Sequence, residues 1–372
     1  MNVISSPVEL VLLGARGQVG SALRRRLGRE LPRLRTDAGL DLRLVAACDR
    51  RGFAFDGAGL APADLEPELR AREPGDLERV FERSHHARML LVDCTASDEV
   101  ADRYLPLLAR GIGVVGANKR ANSRCFASWQ ELQRTAREQR APYRYETTAG
   151  AAIPLLGPLR DLRLRGEHVH SLRGVLSGSL SYLLHRLHEG CAFSAAVAEA
   201  RALGYTEPDP LDDLRATDLS RKLLVLAREC GFALEPGALE VESLFEPIAG
   251  DARPLPAQFA DADEAWRARI AAAAARGERL VVLGEVDAEG ARIRVRAVPA
   301  ASEFGRLLPG QNLVCVRTEL QDATPLSLGG PGAGAEVTAA GVLSDVVAAA
   351  AELAGRARGT QPSASRARSA RR

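Results

Sequence analysis

Lysine is almost missing from this chain. Of its 50 basic side chains only Lys119 and Lys222 are lysine, and the other 48 are arginine. Arginine keeps its proton inside a protein, whereas a buried lysine can release one. These two positions are therefore the first candidates for proton transfer or cofactor chemistry. The count alone leaves chance survival open, so their surroundings must decide. The six cysteines are scattered, with no CxxC pair and no secretory leader ahead of them. That pattern argues against a zinc ribbon or a disulfide scaffold and for reduced thiols. No uninterrupted apolar run approaches the ~20 residues of a membrane helix, and the N-terminus enters a strand too soon for a cleavable signal. These absences predict a soluble cytoplasmic protein with no membrane partner. There is no GxSxG elbow for a serine hydrolase. The histidines show no metal spacing: His168 and His170 alternate along a strand, His185 and His188 stand three apart on a helix, and all four read as surface side chains. No internal repeat is present.

The 372 residues allow two domains and a sizeable core. Six arginines crowd into 356–372 with no acid among them, so the rest of the chain is net acidic although the whole carries +2. An acidic body argues against a nucleic-acid partner. The Ser/Ala/Arg-rich tail, from 355 to 372, is expected to be disordered.

Apolar strands alternate with helices in the first 150 residues. The runs ELVLL (9–13), LRLVAAC (42–48), MLLVDC (89–94) and IGVV (112–115) read as strands, with helices beginning near 21 and spanning about 99–110. This alternation predicts an α/β, Rossmann-like, doubly wound parallel sheet, which binds ligands at the carboxyl ends of its strands. Lys119 lies just beyond such an end. Residues 53–75, rich in Ala, Gly, Pro and acids, read as an insertion loop or short helices. Beyond residue 148 strand-like runs (168–176, 280–287, 292–298, 312–318) mix with helices, which predicts a second, α+β domain over 149–328. A glycine-rich stretch then leads into a helix over about 337–354, so that 329–354 is expected to return to the 1–148 domain.

Between the first strand and first helix stands GARGQVG (14–20). Glycines there let the backbone approach a pyrophosphate, and the helix start offers free N–H groups and a positive dipole end. The spacing is GxxGxxG, and a tight turn used only for packing is the plain alternative. Asp49, at the end of the second strand, suits a ribose 2′-hydroxyl and hence NAD. Arg16, Arg50 and Arg51 suit a 2′-phosphate and hence NADP. Arginines outnumber the acid, which favours NADP; a solvated charged loop is the other reading. The densest chemistry is GYTEPDPLDDLRATDLSRK (204–222), with five carboxylates held close by two prolines. Such crowding is costly unless a cation sits nearby. From Asp218 the pattern is helical, with Leu219, Leu223, Leu226, Ala227 and Cys230 on one side and Gly231 as the stop. Asp218 and Lys222 are then neighbours on one face. As an exposed pair they would be worth only about 0.3–0.5 kcal/mol. Against that reading, position 221 carries arginine while 222 kept lysine.

With these motifs in view the chain resembles homoserine dehydrogenase over about residues 9–354. The likeness rests on VDCTAS (92–97), VVGANKRANS (114–123), YETTAGAAIP (145–154), GVLSGSLSYLL (174–184), the 204–222 segment and GPGAGAEVTAAGVLSD (330–345), and is nearest to the dehydrogenase half of aspartokinase–homoserine dehydrogenases. The resemblance implies NAD(P)-dependent interconversion of L-homoserine and L-aspartate 4-semialdehyde, in threonine, methionine and isoleucine biosynthesis. It implies Lys222 as the catalytic lysine, with Lys119 close to cofactor and substrate. Glu207, Asp218, Asp213 and Tyr205 would bind substrate. Gly14, Arg16, Gly17, Gln18, Val19, Gly20, Arg50, Thr95, Ala96, Lys119, Gly204 and Gly334 would meet the cofactor. Backbone atoms of Glu146, Ala149, Ala151 and Ile153 would hold Na⁺ or K⁺, and the protein would form a homodimer through its second domain.

Three departures stand against the family pattern. One extra residue lies in the first loop near Arg16. Ala216 and Ala152 replace usual glycines, and alanine tolerates positive φ poorly, so the cation site is in question. No kinase or regulatory stretch is visible, which argues against threonine feedback through such a domain. Two other readings remain open: an aspartate-semialdehyde dehydrogenase, for which no matching cysteine motif is seen, and a dinucleotide-sensing protein that has lost turnover.

Overall fold

The computed structural model describes residues 7–83, 88–206 and 209–359. The chain divides into two compact units, one of residues up to Ala121, Gln130–Tyr145 and from Thr338 onward, the other of Asn122–Trp129 and Glu146–Val337.

Short runs of Val, Leu and Ala build the first unit's sheet. Its strands are β1 (Val8–Leu13), β2 (Leu42–Cys48), β3 (Gly52–Phe55), β4 (Arg70–Ala71), β5 (Met89–Asp93), β6 (Gly113–Gly116) and β7 (Tyr143–Arg144). Their spatial order is β4-β3-β2-β1-β5-β6-β7. Strands β2, β1, β5, β6 and β7 are parallel, and β5 and β6 are buried along their whole length, as strands covered on both faces should be. The chain adds β2 on one side of β1 and later returns to add β5 on the other. The order therefore reverses at β1, and the 14–20 loop leaves the sheet at that switch point.

Two expectations change here. Residues 53–75 are not only loop and short helix: β3 runs antiparallel to β2, and β4 antiparallel to β3. Strands of four and two residues are too short to show an alternation, so the sequence hid them. The helix expected over 99–110 is two pieces, Asp98–Ala101 and Tyr104–Ala109. Pro106 has no N–H to offer the Asp102 carbonyl one turn back, which breaks the ladder there.

The second unit's sheet contains β8 (Val169–Val175), β9 (Leu239–Val241), β10 (Glu278–Asp287), β11 (Gly290–Pro299), β12 (Gln311–Thr318) and β13 (Leu326–Pro331), in the order β13-β12-β8-β10-β11-β9. All pairs are antiparallel except β9 with β11. The helices Gly178–His188, Thr217–Glu229 and Asp263–Ala274 pack against β10. Phe193 stacks on Trp266 and Phe245, with Phe259 edge-on to both Phe193 and Phe245, so one cluster holds four of the chain's sixteen aromatic residues.

Residues 326–331 form the edge strand of this sheet, so the return to the first unit begins at Thr338 rather than at 329. The last helix, Ala335–Gly359, also runs past the Ala354 end that the sequence suggested; residues 360–372 lie outside the described part. Its portion Ala335–Gly355 has the length and mean hydropathy (1.6) to cross a membrane, against the reading that no such run exists. Alanine supplies much of that apolarity. Half of the stretch is buried in the protein, with Ala339, Val342, Val346, Ala349 and Ala350 inside, as in a core helix.

Candidate active site

In the first unit the ends of β1, β2 and β5 surround a cavity of about 560 Å³. Gly14 and Gly17 line one wall, Asp49, Arg50 and Arg72 a second, and Thr95, Ala96 and Ser97 a third. Gly14 sits at φ +77, and a Cβ there would meet the Cys94 carbonyl oxygen at 2.8 Å. Gly20 is needed for contact: its Cβ would stand 2.0 Å from the Gly14 oxygen. Packing thus accounts for Gly20, while Gly14 and Gly17 both pack against backbone and line the cavity. Gly17 caps the Gln18–Asp37 helix without any side-chain cap, and the first turn holds no acid. The free N–H groups and positive dipole end of this helix therefore begin at Gly17, on the cavity wall, an arrangement fitted to a dinucleotide pyrophosphate. Arg16, Gln18, Val19 and Gly20 are not among the lining residues.

Arg16 is engaged elsewhere. Its Nε and Nη2 both donate to Asp49, the latter at 2.8 Å. The amides of Arg51 and Gly52 donate to the same carboxylate at 2.8 Å each. The Arg16 hydrogen bond holds the Asp49 carboxyl down at about 2, below the usual carboxylate range. The sequence set these two residues as rivals in choosing a cofactor; the fold makes them partners.

At the end of β5, buried Asp93 organises two loops at once. It accepts from the Tyr104 hydroxyl at 2.8 Å, the Asn118 side-chain amide at 2.9 Å and the Thr95 backbone N–H at 2.7 Å. Burial beside Asp93 pushes the Tyr104 phenol well above its ordinary value, so it stays a hydrogen-bond donor. Asn118 also donates to the Ser97 carbonyl at 2.8 Å. Through this hub the Thr95–Ala96 strand end and the loop carrying half-buried Lys119 are fixed to one carboxylate.

In the second unit, the Thr217–Glu229 helix buries Leu219, Leu223, Leu226 and Ala227 and leaves Asp218 and Lys222 on another face. Lys222 Nζ lies 3.0 Å from Asp218 and donates to the Leu176 carbonyl at 2.9 Å. The Lys222 side chain is only 11% exposed, which removes it from the class of loose surface pairs. An ammonium has three donors; two are placed, and the third is available to a ligand. Asp213 accepts from Ser179 Oγ at 2.7 Å, and Ser179 is 3.1 Å from Ser177. The helix begins on Ala216 at φ 55, ψ 31, left-handed despite its Cβ. That conformation costs alanine about 1–2 kcal/mol, so the glycine geometry is kept at the price of strain.

The remaining expected residues fall as follows. Tyr205 is exposed and its ring packs at 4.6 Å on Tyr182. Gly204, at φ +72, follows the end of the Phe193–Ala202 helix and donates to the Arg201 carbonyl at 3.1 Å, a helix-ending role. Gly334, at φ +117, precedes the last helix. Glu207 lies outside the described residues. Glu146 turns its carboxylate to the amides of Leu155, Leu156 and Gly157, the last at 2.9 Å. Ala149, Ala151 and Ile153 are buried between these ends. The strained backbone falls on Ala151 (φ 55), and Ala152 is not among the residues at positive φ, so the alanine at 152 carries no such strain itself.

The comparisons agree with this geometry. Residues 154–347 match the family described as homoserine dehydrogenase, and residues 16–146 match the homoserine dehydrogenase NAD binding domain. The chain belongs to the homoserine dehydrogenase family. A bifunctional aspartokinase/homoserine dehydrogenase of Haemophilus influenzae is 34% identical over 347 residues, covering 91% of this chain. The chain spans 42% of that relative's length. A Candida auris protein of unknown function has a similar structure, with TM-score 0.84 and 30% identity over 94% of this chain and 99% of that one. A hyperthermophilic archaeal homoserine dehydrogenase in complex with NADPH shares the fold, with TM-score 0.72 and 23% identity over 93% and 98% of the two chains.

Sequence reasoning missed the Leu176 carbonyl, Ser177, Ser179, Asp93 and Arg72. The GVLSGSLSYLL motif contains the first three, and a run of serines at a strand end was the signal available for them.

The thiols give a direct check on local environment. Among the described residues no two cysteines are bonded. Burial pushes Cys48 up to about 11 and Cys315 to about 12, and raises Cys94 and Cys230 further. Exposed Cys125 is lowered by its 3.0 Å contact with Ser128. Iodoacetamide at neutral pH is expected to modify Cys125 well before those four, as read by peptide mass spectrometry. Early labelling of Cys94 or Cys230 would contradict this burial.

Proposed function

We propose that this chain oxidises L-homoserine to L-aspartate 4-semialdehyde and runs the reverse reduction, serving threonine, methionine and isoleucine biosynthesis. One observation carries the reading: the single lysine of the acid-rich helix is sequestered, oriented by Asp218 and the Leu176 carbonyl, and left with one free donor position. When bound, the nicotinamide supplies the acceptor for the hydride leaving the alcohol carbon. Lys222 takes the hydroxyl proton in that direction and returns it to the developing alkoxide in the other. Asp218 fixes the aim of the Lys222 side chain, while Ser179 holds Asp213. Homoserine is a zwitterion, and its own ammonium needs carboxylates such as Glu207 and Asp213. Lys119, fixed beside the Asp93 hub, adds positive charge on the cofactor side.

NADP(H) is the preferred cofactor in this reading, supported by the arginines on the cavity wall and by the NADPH bound to the archaeal homologue. A monovalent cation, Na⁺ or K⁺, fits the loop from Glu146 to Ile153. Three amides occupy the Glu146 carboxylate, which leaves the backbone carbonyls as oxygen donors there. The working form is a homodimer made through the second unit, where partly exposed Val281, Leu307 and Leu313 surround a buried cluster with Phe304. The compartment is the cytoplasm, in keeping with cysteines that do not pair. The test is homoserine-dependent reduction of NADP⁺ and of NAD⁺, side by side, with and without K⁺ or Na⁺. Reduction of NADP⁺ at the higher kcat/KM is expected, and no homoserine-dependent reduction of either cofactor would sink the reading.

A further inference from the structure

The antiparallel edge of the first sheet has no role in the chemistry above, yet it delivers a cation to the dinucleotide cavity. Strand β3 turns back from the end of β2, and β4 returns along β3, pairing Gly52 with Ala71. The next residue is Arg72, whose amide donates to the Arg51 carbonyl at 2.9 Å. This places its guanidinium over the end of β2, where Nη1 reaches the Asp49 carbonyl at 3.4 Å, and Arg72 joins Asp49 and Arg50 on the cavity wall. Among the described residues no carboxylate pairs with Arg50 or Arg72. The other acid on the wall, Glu99, lies 3.7 Å from Arg103.

Asp49 stands where a carboxylate would take a ribose 2′-hydroxyl. Four donors already meet it: Arg16 Nη2 and the amides of Arg51 and Gly52 at Oδ1, and Arg16 Nε at Oδ2. A diol that takes both carboxylate oxygens would have to displace Arg16, which bonds to each of them. Two guanidiniums without a carboxylate partner, beside a carboxylate already paired with Arg16, form a receptor for a dianion, since planar N–H forks match phosphate oxygens.

We propose that Arg72, carried by the β3–β4 excursion, receives the dinucleotide 2′-phosphate together with Arg50, and that Arg16 acts by occupying Asp49. This deepens the NADP(H) reading and rests on it. Arg16 is thus a positioning residue for the ribose end and not a phosphate ligand, and Arg72 is the specificity determinant that spacing in the sequence did not reveal.

Direct binding tests this without turnover. The full chain, Arg72→Gln and Arg72→Lys are titrated calorimetrically with NADP⁺, NAD⁺ and 2′,5′-ADP. Arg72 is exposed, so the variants should melt with the parent, which a thermal scan checks. Losing one charge-assisted phosphate contact should weaken NADP⁺ and 2′,5′-ADP roughly 10- to 100-fold and leave NAD⁺ within about 2-fold. Arg72→Lys, which keeps the charge but not the fork, should fall between. Because the second phosphate ionisation lies near pH 6, the parent's preference for NADP⁺ should shrink between pH 7 and pH 5, and less so in Arg72→Gln. Equal losses for NAD⁺ and NADP⁺, or no loss at all, would overturn the role of Arg72. A parent that binds NADP⁺ tightly regardless of Arg72 leaves the cofactor reading standing without this residue. A parent that binds NAD⁺ more tightly overturns both.

Discussion

Lys222→Arg is expected to fold as the parent does and to lose most of its turnover, roughly 100- to 10,000-fold in kcat. Arginine keeps the positive charge beside Asp218 and can still donate to the Leu176 carbonyl, so the ion pair at 3.0 Å and the bond at 2.9 Å have a substitute. What it cannot do is give up a proton at working pH. The expected pattern is therefore a collapse in kcat with a melting temperature near that of the parent. An interaction used mainly in the transition state lowers kcat and kcat/KM together. Steady-state kinetics with homoserine, alongside a circular-dichroism melt, reads both. Turnover within a few-fold of the parent would remove Lys222 from proton transfer and leave it a structural ion pair.

Arg228→Met should cost the fold about 3–5 kcal/mol. Arg228 lies in the last turn of the helix that carries Lys222, and its side chain is fully buried. Its guanidinium donates to the carbonyls of Asn122 at 2.7 Å, Arg124 at 2.6 Å and Leu234 at 3.0 Å, with the Phe126 ring 5.8 Å away. Methionine fills much of the volume but strands those carbonyls without donors, and a buried polar group left unpaired carries its whole desolvation cost. The stretch it grips is where the chain passes into the second unit, just after Lys119. Urea unfolding should show a lower midpoint at a similar slope. Arg228→Lys should recover only part of the loss, since an ammonium lacks the fork that spans separate carbonyls. A loss below about 1 kcal/mol for Arg228→Met would mean that water replaces the guanidinium there.

Much of the first unit was legible in the chain itself. Strands β1, β2, β5 and β6 appear as compact apolar runs because both their faces are covered, and the Gly14 turn follows the first of them. The helix from Thr217 was legible from its apolar spacing. The edge strands β3 and β4 were not, being too short to carry a pattern. The break at Asp102 was also hidden, although Pro106 marks it once the ladder is traced. The Ala335–Gly355 segment shows the opposite failure: its composition alone cannot tell a core helix from a membrane span, and burial separates them.

By itself the sequence determined which groups could do chemistry. Two lysines among 48 arginines, the acid-rich 204–222 segment and the glycine turn are statements about residue type and local spacing, and those survive without any coordinates. Tertiary structure decided how these groups are used. The Leu176 carbonyl that aims Lys222 is 46 residues away in the chain, Arg16 and Asp49 are 33 apart, and Arg72 meets Asp49 across 23. Spacing encodes what one helix or strand holds close. Hydrogen bonds that close only when distant segments pack are set by the whole fold, and they turned two apparent rivals for a cofactor into one ion pair.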